Sequence, residues 1–295
     1  MKVIFIGCGY LGYNLSKGLI DKYDVAVLGI DSPYVSHTPW FRYADVFDMG
    51  TMINQDLKDA IVIDTVSLVG NRTTSDDPDR LLKNLKNKYQ GLLDVLKAKG
   101  VKRYIFLSSG GTIYGDSDEP IKEDHVLNPK SLYGKSKKML EELIADSGID
   151  YLILRPSNPF GGFQVTNGQG VIPILINKAL DEEAFDMYVE KDSVRDYFYI
   201  DDFVDILDKL IAQDINNEIL NVGSGVATSL QEVIAAVEKA CDKTVIINEV
   251  EKDETAVKSI VLDISKLQSL IDHENKISLE EGIKLETKRI ERGRE

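Results

Sequence analysis

The chain has 295 residues, of which 43% are hydrophobic and 28% charged, and its formal net charge is −14 at pH 7. This composition is that of an ordinary globular protein, and the length suits a large core in two domains or lobes. The negative charge argues against nucleic acid or an anionic membrane as the main partner, because both carry phosphates that it would repel.

The first half of the chain alternates short apolar runs with amphipathic segments. Runs rich in β-branched residues predict strands buried on both faces of a parallel sheet at 2–6, 24–30, 60–64, 103–107 and 150–154. Helical periodicity between them predicts helices at 10–20, 78–98 and 131–146. The repeated strand–helix–strand order predicts an α/β fold with a Rossmann-type, doubly wound parallel sheet.

The pattern changes after Arg155. Residues 155–170 are rich in glycine and proline, which predicts a long ordered loop. Shorter elements follow, with helices expected at 172–182, 202–212, 229–241 and 279–291. We therefore expect a smaller, mixed α/β lobe at 158–191 and 222–295, and a larger domain at 1–157 and 192–221.

Three glycines follow the first predicted strand and open the first helix. In Gly7-x-Gly9-x-x-Gly12, the first permits a tight turn, the second lets the backbone approach a pyrophosphate, and the third allows close helix–strand packing. The helix N-terminus would then face the phosphates. The alternative is a turn that uses glycine for its geometry alone.

Asp31 ends the second predicted strand, nineteen residues after Gly12. A carboxylate at this distance accepts hydrogen bonds from the ribose hydroxyls of a dinucleotide and repels a 2′-phosphate. No arginine or lysine follows it directly, so the sequence favours NAD over NADP. The alternative is a simple turn residue before Pro33.

A second polar cluster is predicted where another strand ends. Ser108, Ser109 and Thr112 follow the strand at 103–107, and in a doubly wound sheet ligands bind at the carboxyl ends of the strands. Helical spacing places Tyr133 and Lys137 on one face of the next helix. A lysine cation and a positive nicotinamide would lower the pKa of a phenol towards working pH, so the tyrosine could serve as a general base.

The same Tyr-x-x-x-Lys spacing occurs at Tyr13 and Lys17, so a bare match has little weight. That pair lies inside the first helix, with no hydroxyl-rich strand end beside it. The alternative for Tyr133 and Lys137 is an ordinary pair on a helix surface.

Together these motifs resemble the extended short-chain dehydrogenase/reductases of the nucleotide-sugar epimerase/dehydratase kind, such as UDP-glucose 4-epimerase. The resemblance covers nearly the whole chain and rests on the segments GCGYLG (7–12), SSGGTIYG (108–115), YGKSK (133–137), LRPSNPFG (154–161), SVRDYFYIDD (193–202), NVGSG (221–225) and LDISKL (262–267). It implies that the larger domain binds NAD and that the smaller lobe binds the substrate.

The resemblance also implies roles for individual residues. Tyr133 would be the general base or acid and Lys137 its partner on the nicotinamide ribose. Asn158 and Arg195 match positions that hold the ribose and diphosphate of the nucleotide sugar in UDP-sugar epimerases. The remaining cofactor contacts that the resemblance implies are Tyr10, Leu11, Asp45, Ser67 and Pro156.

Two departures from the family pattern bear on the chemistry. The third residue of the SSGGTIYG segment is usually a catalytic serine or threonine, and here it is Gly110. Its role would fall to Ser109 or to Thr112, which is slightly preferred and would also touch the substrate. Dehydratases and decarboxylases of the family carry carboxylates where this chain has Gly111 and Thr112, so dehydration and decarboxylation are disfavoured.

Three functions follow as hypotheses: an NAD-dependent 4-epimerase of a UDP-hexose, a nucleotide 4-keto-sugar reductase with net hydride transfer, and a non-catalytic NAD-binding scaffold. The two distant cysteines, Cys8 and Cys241, and the scattered histidines indicate a reduced, cytoplasmic protein without a metal site. No apolar run reaches the roughly 20 residues of a membrane span. The resemblance also implies a possible homodimer through the helices at 78–98 and 131–146.

Overall fold

The computed structural model describes residues 1–70, 73–164, 170–251 and 257–294. The chain forms two compact units. The first unit comprises Met1–Tyr114, Val126–Arg155 and Leu207–Leu220, and the second comprises Gly115–His125, Pro156–Ile206 and Asn221–Glu295. The larger domain expected from the sequence includes residues 115–125, 156–157, 192–206 and 221, which fall in the second unit.

The elements up to residue 156 follow the predicted alternation. They are β1 (Lys2–Ile6), α1 (Tyr10–Leu19), β2 (Asp24–Gly29), β3 (Phe41–Tyr43), α2 (Met49–Ile53), β4 (Ile61–Asp64), α3 (Pro78–Ala98), β5 (Arg103–Leu107), α4 (Gly110–Ile113), α5 (Leu132–Ala145) and β6 (Tyr151–Pro156). All predicted strands and helices of this half are confirmed. The short elements β3, α2 and α4 were not predicted, because a few residues carry no readable periodicity.

The later elements are shorter, apart from four helices that match the predicted ones within two residues. They are β7 (Asn158–Phe160), α6 (Val171–Asp181), β8 (Phe185–Met187), β9 (Val194–Arg195), β10 (Tyr197–Tyr199), α7 (Ile200–Ala212), β11 (Glu218–Val222), β12 (Thr228–Ser229), α8 (Leu230–Cys241), β13 (Ile247–Glu249), β14 (Ser259–Ile260), α9 (Ser265–Leu270) and α10 (Leu279–Arg292).

The central sheet has seven strands in the order β11-β6-β5-β4-β1-β2-β3. The pairs from β3 across to β6 are parallel. The chain starts at β1, continues outwards to β2 and β3, and then crosses back to β4 on the other side of β1. This doubly wound order confirms the predicted fold class. It also makes the carboxyl ends of β1 and β4 a switch point, where such sheets bind ligands.

One face of the sheet packs on a large apolar cluster that includes Tyr104, Phe106 and side chains of α3 and α5. Two capping residues start these helices: the Asp77 carboxylate accepts from Arg80 N (3.0 Å) and the Ser131 hydroxyl accepts from Gly134 N (3.1 Å). The second cap matters for function, because it fixes the first turn of α5, which carries Tyr133.

The second unit contains small sheets. β7 pairs with β10, β8 with β13, and β9 lies between β12 and β14. The predicted loop at 155–170 is therefore wrong in part, because residues 158–160 form a strand whose ladder partners lie almost 40 residues later. Residues 165–169 of that loop lie outside the described residues. Of the helices that the structure describes, none is long and apolar enough to cross a membrane.

Candidate active site

The glycine turn lies between β1 and α1, at the switch point of the sheet. Gly7 has a φ of +95°, and its N–H donates to Leu28 O of β2 (2.8 Å). A Cβ on Gly12 would lie 2.2 Å from Gly7 O and 2.7 Å from the Thr65 hydroxyl oxygen, so only glycine fits. Thr65 Oγ1 donates to the carbonyls of Ile6 and Gly7 (both 3.0 Å), which ties the turn to the end of β4.

Gly9 differs from Gly7 and Gly12, the other two glycines of the turn, because a Cβ on Gly9 would meet no atom within 4 Å. Gly9 is also the N-cap of α1, and its own φ of −87° needs no glycine. Packing therefore does not explain this glycine. The free space above a helix N-terminus fits a dinucleotide pyrophosphate, whose negative charge the helix dipole and N–H groups would stabilise.

We expect Gly9→Ala to weaken NAD binding about tenfold or more, since the methyl group would occupy space proposed for the pyrophosphate. The free energy of unfolding should change by less than about 1 kcal/mol, because nothing in the protein is displaced. Calorimetric titration with NAD and urea unfolding test both parts. Gly293→Ala, with a Cβ 3.5 Å from Ile290 O at the end of α10, is the matched control and should change neither. Unaltered NAD affinity in Gly9→Ala would contradict this assignment.

The other predicted cofactor residues follow the ends of neighbouring strands. Asp31 is exposed two residues after β2, and Asp45 is exposed two residues after β3, where its carboxylate accepts from Phe47 N (3.0 Å). Ser67 is exposed three residues after β4, and its hydroxyl donates to Val69 O (2.7 Å). Since β4, β1, β2 and β3 are adjacent, the structure brings these positions to one edge of the sheet.

The remaining predicted contacts lie within elements. Tyr10 and Leu11 are the first two residues of α1 and are partly buried. Pro156 is buried as the last residue of β6.

A close approach of two helices positions the Tyr133 side chain. A Cβ on Gly134 would lie 2.6 Å from Thr112 O of α4 and 2.8 Å from the Pro129 side chain. Glycine at this position therefore lets the first turn of α5 pack directly on α4. The Ser109 side chain is close enough to interact with the Tyr133 hydroxyl, and this interaction lowers the pKa of the phenol. Thr112 Oγ1 and Ser108 Oγ are buried, with no hydrogen-bond partner in the described part of the chain.

The two hydroxyls that the sequence analysis left as alternatives thus occupy different environments. Ser109 interacts with the phenol. Which of the two hydroxyls acts on the sugar stays a prediction. Thr112 has a buried oxygen left for a ligand, which agrees with a substrate contact.

Lys137 lies one turn after Tyr133 and is 4% exposed. Its Nζ donates to Leu107 O at the end of β5 (2.8 Å) and lies 4.5 Å from the centre of the Phe106 ring and 5.7 Å from that of Tyr133. Burial lowers the pKa of Lys137 to about 8, although the Asp64 and Glu141 carboxylates favour its charged form.

Burial also raises the pKa of Tyr133, against the hydrogen bond from Ser109, which lowers it. The sequence analysis expected this pKa to fall, because it considered the neighbouring cations and not the desolvation of the phenolate. In the protein chain alone, desolvation is the larger effect.

The second Tyr-x-x-x-Lys pair has a structural role. The Tyr13 ring is buried against Tyr34, with ring centres 5.7 Å apart, and Lys17 is exposed beside it. Both residues lie within α1, as expected from the sequence.

A buried polar group beside Lys137 escaped the sequence analysis. Asp64 is the last residue of β4 and is fully buried, and its carboxylate accepts from Val66 N (2.8 Å) and from the Tyr104 hydroxyl. Burial raises its pKa. The sequence did contain a sign of this group, because an aspartate lies in the apolar run 60–64. Charged residues are rare in strands that are buried on both faces.

Asn158 and Arg195 lie in the second unit. Asn158 Nδ2 donates to Asp196 O (2.9 Å), while Arg195 donates to the carbonyls of Val194 (2.8 Å), Lys258 (3.2 Å) and Val257. Burial lowers the pKa of Arg195. No carboxylate of the described residues lies within ion-pair distance of this guanidinium, which leaves its charge for an anion.

Comparison with known proteins adds an independent line of evidence. The model of the NAD dependent epimerase/dehydratase family matches residues 5–223. A putative UDP-glucose 4-epimerase of Methanocaldococcus jannaschii is 31% identical over 307 residues, covering 94% of each chain. A dTDP-4-dehydro-6-deoxyglucose reductase of Escherichia coli is 28% identical over 296 residues, covering 94% of this chain and 93% of the relative.

A crystal structure of UDP-glucose 4-epimerase from Thermotoga maritima with UDP-glucose is similar over the full length of both chains, with 27% identity and a TM-score of 0.86. The dependence of the family on NAD confirms the predicted cofactor.

Proposed function

Because this chain belongs to the NAD dependent epimerase/dehydratase family, we propose that it is a nucleotide-sugar 4-epimerase that acts on a UDP-hexose. The observation that carries the proposal is the Ser109–Tyr133–Lys137 cluster at the carboxyl edge of the sheet, on the same edge as the glycine turn. Support also comes from the two relatives named as UDP-glucose 4-epimerases, each matched over more than nine-tenths of the chain.

In this proposal Tyr133 takes the proton from the C4 hydroxyl of the sugar and later returns it. NAD, when bound, supplies the hydride acceptor and donor. Lys137 keeps a positive charge beside the phenolate and stabilises it, and the Ser109 hydroxyl orients the phenol oxygen. Thr112 offers its unpartnered hydroxyl to the sugar. A 4-keto sugar that rotates before reduction yields the other epimer, and the protein ends each cycle unchanged.

We assign the nucleotide part of the substrate to the second unit. Arg195 is a fork-shaped cation that suits the oxygens of a diphosphate, and its neighbours give it no carboxylate within the described residues. Asn158 would hold the ribose. In a protein of net charge −14, a half-buried arginine without a carboxylate partner among the described residues would be a specific local anion site.

A reductase is the second candidate, and the 28% identity to the dTDP-4-dehydro-6-deoxyglucose reductase favours it. The same Tyr133 would then donate its proton to the C4 oxygen of a keto sugar while reduced cofactor is consumed. The two functions use the same proposed residues. In the epimerase the keto sugar rotates and the hydride returns to it, whereas in the reductase the oxidised cofactor leaves after one hydride transfer.

The proposed function predicts that the purified protein interconverts UDP-glucose and UDP-galactose without added cofactor. The anomeric proton signals in NMR measure both sugars directly, and Tyr133→Phe is the matched inactive control. Turnover that requires added NADH and a 4-keto sugar, with stoichiometric loss of NADH absorbance, would instead establish the reductase. NAD binding without turnover of any nucleotide sugar would contradict both the epimerase and the reductase. The non-catalytic NAD-binding scaffold would then be the remaining hypothesis.

The homodimer expected through the helices at 78–98 and 131–146 stays a prediction. Light scattering at micromolar concentration tests it.

A further inference from the structure

Asp64 is a carboxylate at the end of β4 inside an apolar cluster. Its side chain is fully buried, and its carboxylate accepts from the Val66 N–H at Oδ1 and from the Tyr104 hydroxyl at Oδ2, with Tyr89 as a further hydrogen-bonding side chain. The two bonds go to different oxygens, which a carboxylate offers and an asparagine does not. Burying an ionised carboxylate costs several kcal/mol unless a cation compensates it, so an ionised Asp64 requires a cation nearby.

The nearest cation is found through the strand register. Asp64 pairs with Phe106 of β5, so both side chains point to the same face of the sheet. The Lys137 Nζ lies over that Phe106 ring and donates to the carbonyl of the next residue, Leu107. The carboxylate and the ammonium group therefore lie on the same face of the sheet, near the ends of two neighbouring strands.

A second carboxylate, Glu141, also favours the charged form of Lys137, but it already forms an ion pair with Arg155. Its oxygens accept from Arg155 Nη2 (2.6 Å) and Nε (3.0 Å), and both side chains are almost completely buried. Among the described residues, Asp64 forms no ion pair of this kind. Its charge is thus left for Lys137.

We propose that Asp64 is a positioning residue, whose buried carboxylate keeps the Lys137 ammonium group charged beside Tyr133. The inference rests on the proposed catalytic roles of Tyr133 and Lys137. It extends them by one residue that neither the family pattern nor the sequence analysis identified.

The electrostatics agree with this geometry. Burial lowers the pKa of Lys137 to about 8. The negative charges of Asp64 and Glu141 oppose this shift, and Asp64 has the larger effect. In turn, Lys137 is the one cation that lowers the pKa of Asp64 against burial. The titratable groups facing this pair from the surrounding elements are Tyr89 of α3, Tyr104 of β5, and Tyr133 and Glu141 of α5.

Asp64→Asn removes the charge and keeps the size of the side chain. Its one oxygen can still accept from Val66 N, while its amide group would donate to the Tyr104 oxygen in place of the second acceptor. Without the carboxylate, the pKa of Lys137 should fall by about one unit or more, as expected when an opposite charge is lost nearby. The ammonium form would then be lost at a lower pH. In the pH profile of kcat, the alkaline decline should move down by the same amount, with much smaller losses near pH 6. A uniform loss at every pH would show a merely structural role and overturn the proposal.

A second measurement does not depend on turnover. Lysine labelled with ¹³C at the ε carbon reports the ionisation of each ammonium group by NMR, and Lys137→Met identifies the signal of Lys137. We expect a midpoint near 8 in the wild-type protein and a value about one unit or more lower in Asp64→Asn. Equal midpoints would overturn the inference, whatever the enzyme does.

Asp59→Asn is the matched control. Asp59 is exposed just before β4 and has a φ of +55°, which asparagine tolerates, so neither the stability nor the Lys137 midpoint should change. The wild-type protein could prove to have no activity on nucleotide sugars while Asp64→Asn still shifts the Lys137 midpoint. That result would support the electrostatic inference and contradict the proposed function. The two failures are therefore distinguishable.

Discussion

Tyr133→Phe should lower kcat by about three orders of magnitude, within the range of 10²–10⁴ that a positioned acid or base contributes. The substitution removes one oxygen and leaves the ring, so the packing of α5 on α4 through Gly134 is retained. NAD affinity should stay within about twofold, because the glycine turn lies on other elements. Turnover of UDP-glucose followed by NMR and calorimetric titration with NAD measure the two quantities separately.

Tyr13→Phe is the control that the chain itself offers, since Tyr13 has the same Tyr-x-x-x-Lys spacing but lies within α1. Its kcat should remain near that of the wild-type protein. Wild-type turnover in Tyr133→Phe would disprove the assignment of the base. A parallel loss of NAD affinity would show that the hydroxyl serves structure and not proton transfer.

Glu141→Leu should destabilise the protein by about 3–5 kcal/mol, because it leaves the Arg155 guanidinium buried without its carboxylate. Arg155 is fixed by Glu141 on one side and by the Tyr114 hydroxyl (2.7 Å) on the other. Burial disfavours the charge of Arg155, but these partners more than compensate and raise its pKa. Urea unfolding followed by circular dichroism measures the change in the free energy of unfolding.

Two further variants show whether the lost pair is the cause. Glu142→Leu changes the neighbouring exposed glutamate and should alter stability by no more than about 0.5 kcal/mol. The double variant Glu141→Leu with Arg155→Met removes both charges and should recover much of the loss. A single variant as stable as the wild-type protein would mean that water reaches Arg155. Since Glu141 follows Lys137 by one helical turn, activity should fall together with stability.

The separation between Ser109 and Thr112 changes how the catalytic cluster is understood. In relatives one residue at the position of Gly110 is expected to act on the substrate. Here Ser109 contacts the phenol, while the Thr112 hydroxyl stays buried and unpartnered within the described residues. We therefore expect the role of the missing side chain at Gly110 to be divided between two hydroxyls, one on each side of it.

The amino-acid sequence by itself determined the doubly wound sheet, the glycine turn and the pairing of Tyr133 with Lys137. These features depend on local spacing: apolar runs, helical periodicity, and glycines directly after a strand. Only the tertiary structure decided that Ser109 interacts with Tyr133, that residues 158–160 pair with a distant strand, and that Asp64 and Lys137 lie near the ends of neighbouring strands. Those contacts join residues far apart in the chain, and their formation depends on strand register, on helix packing at Gly134 and on desolvation of the buried groups.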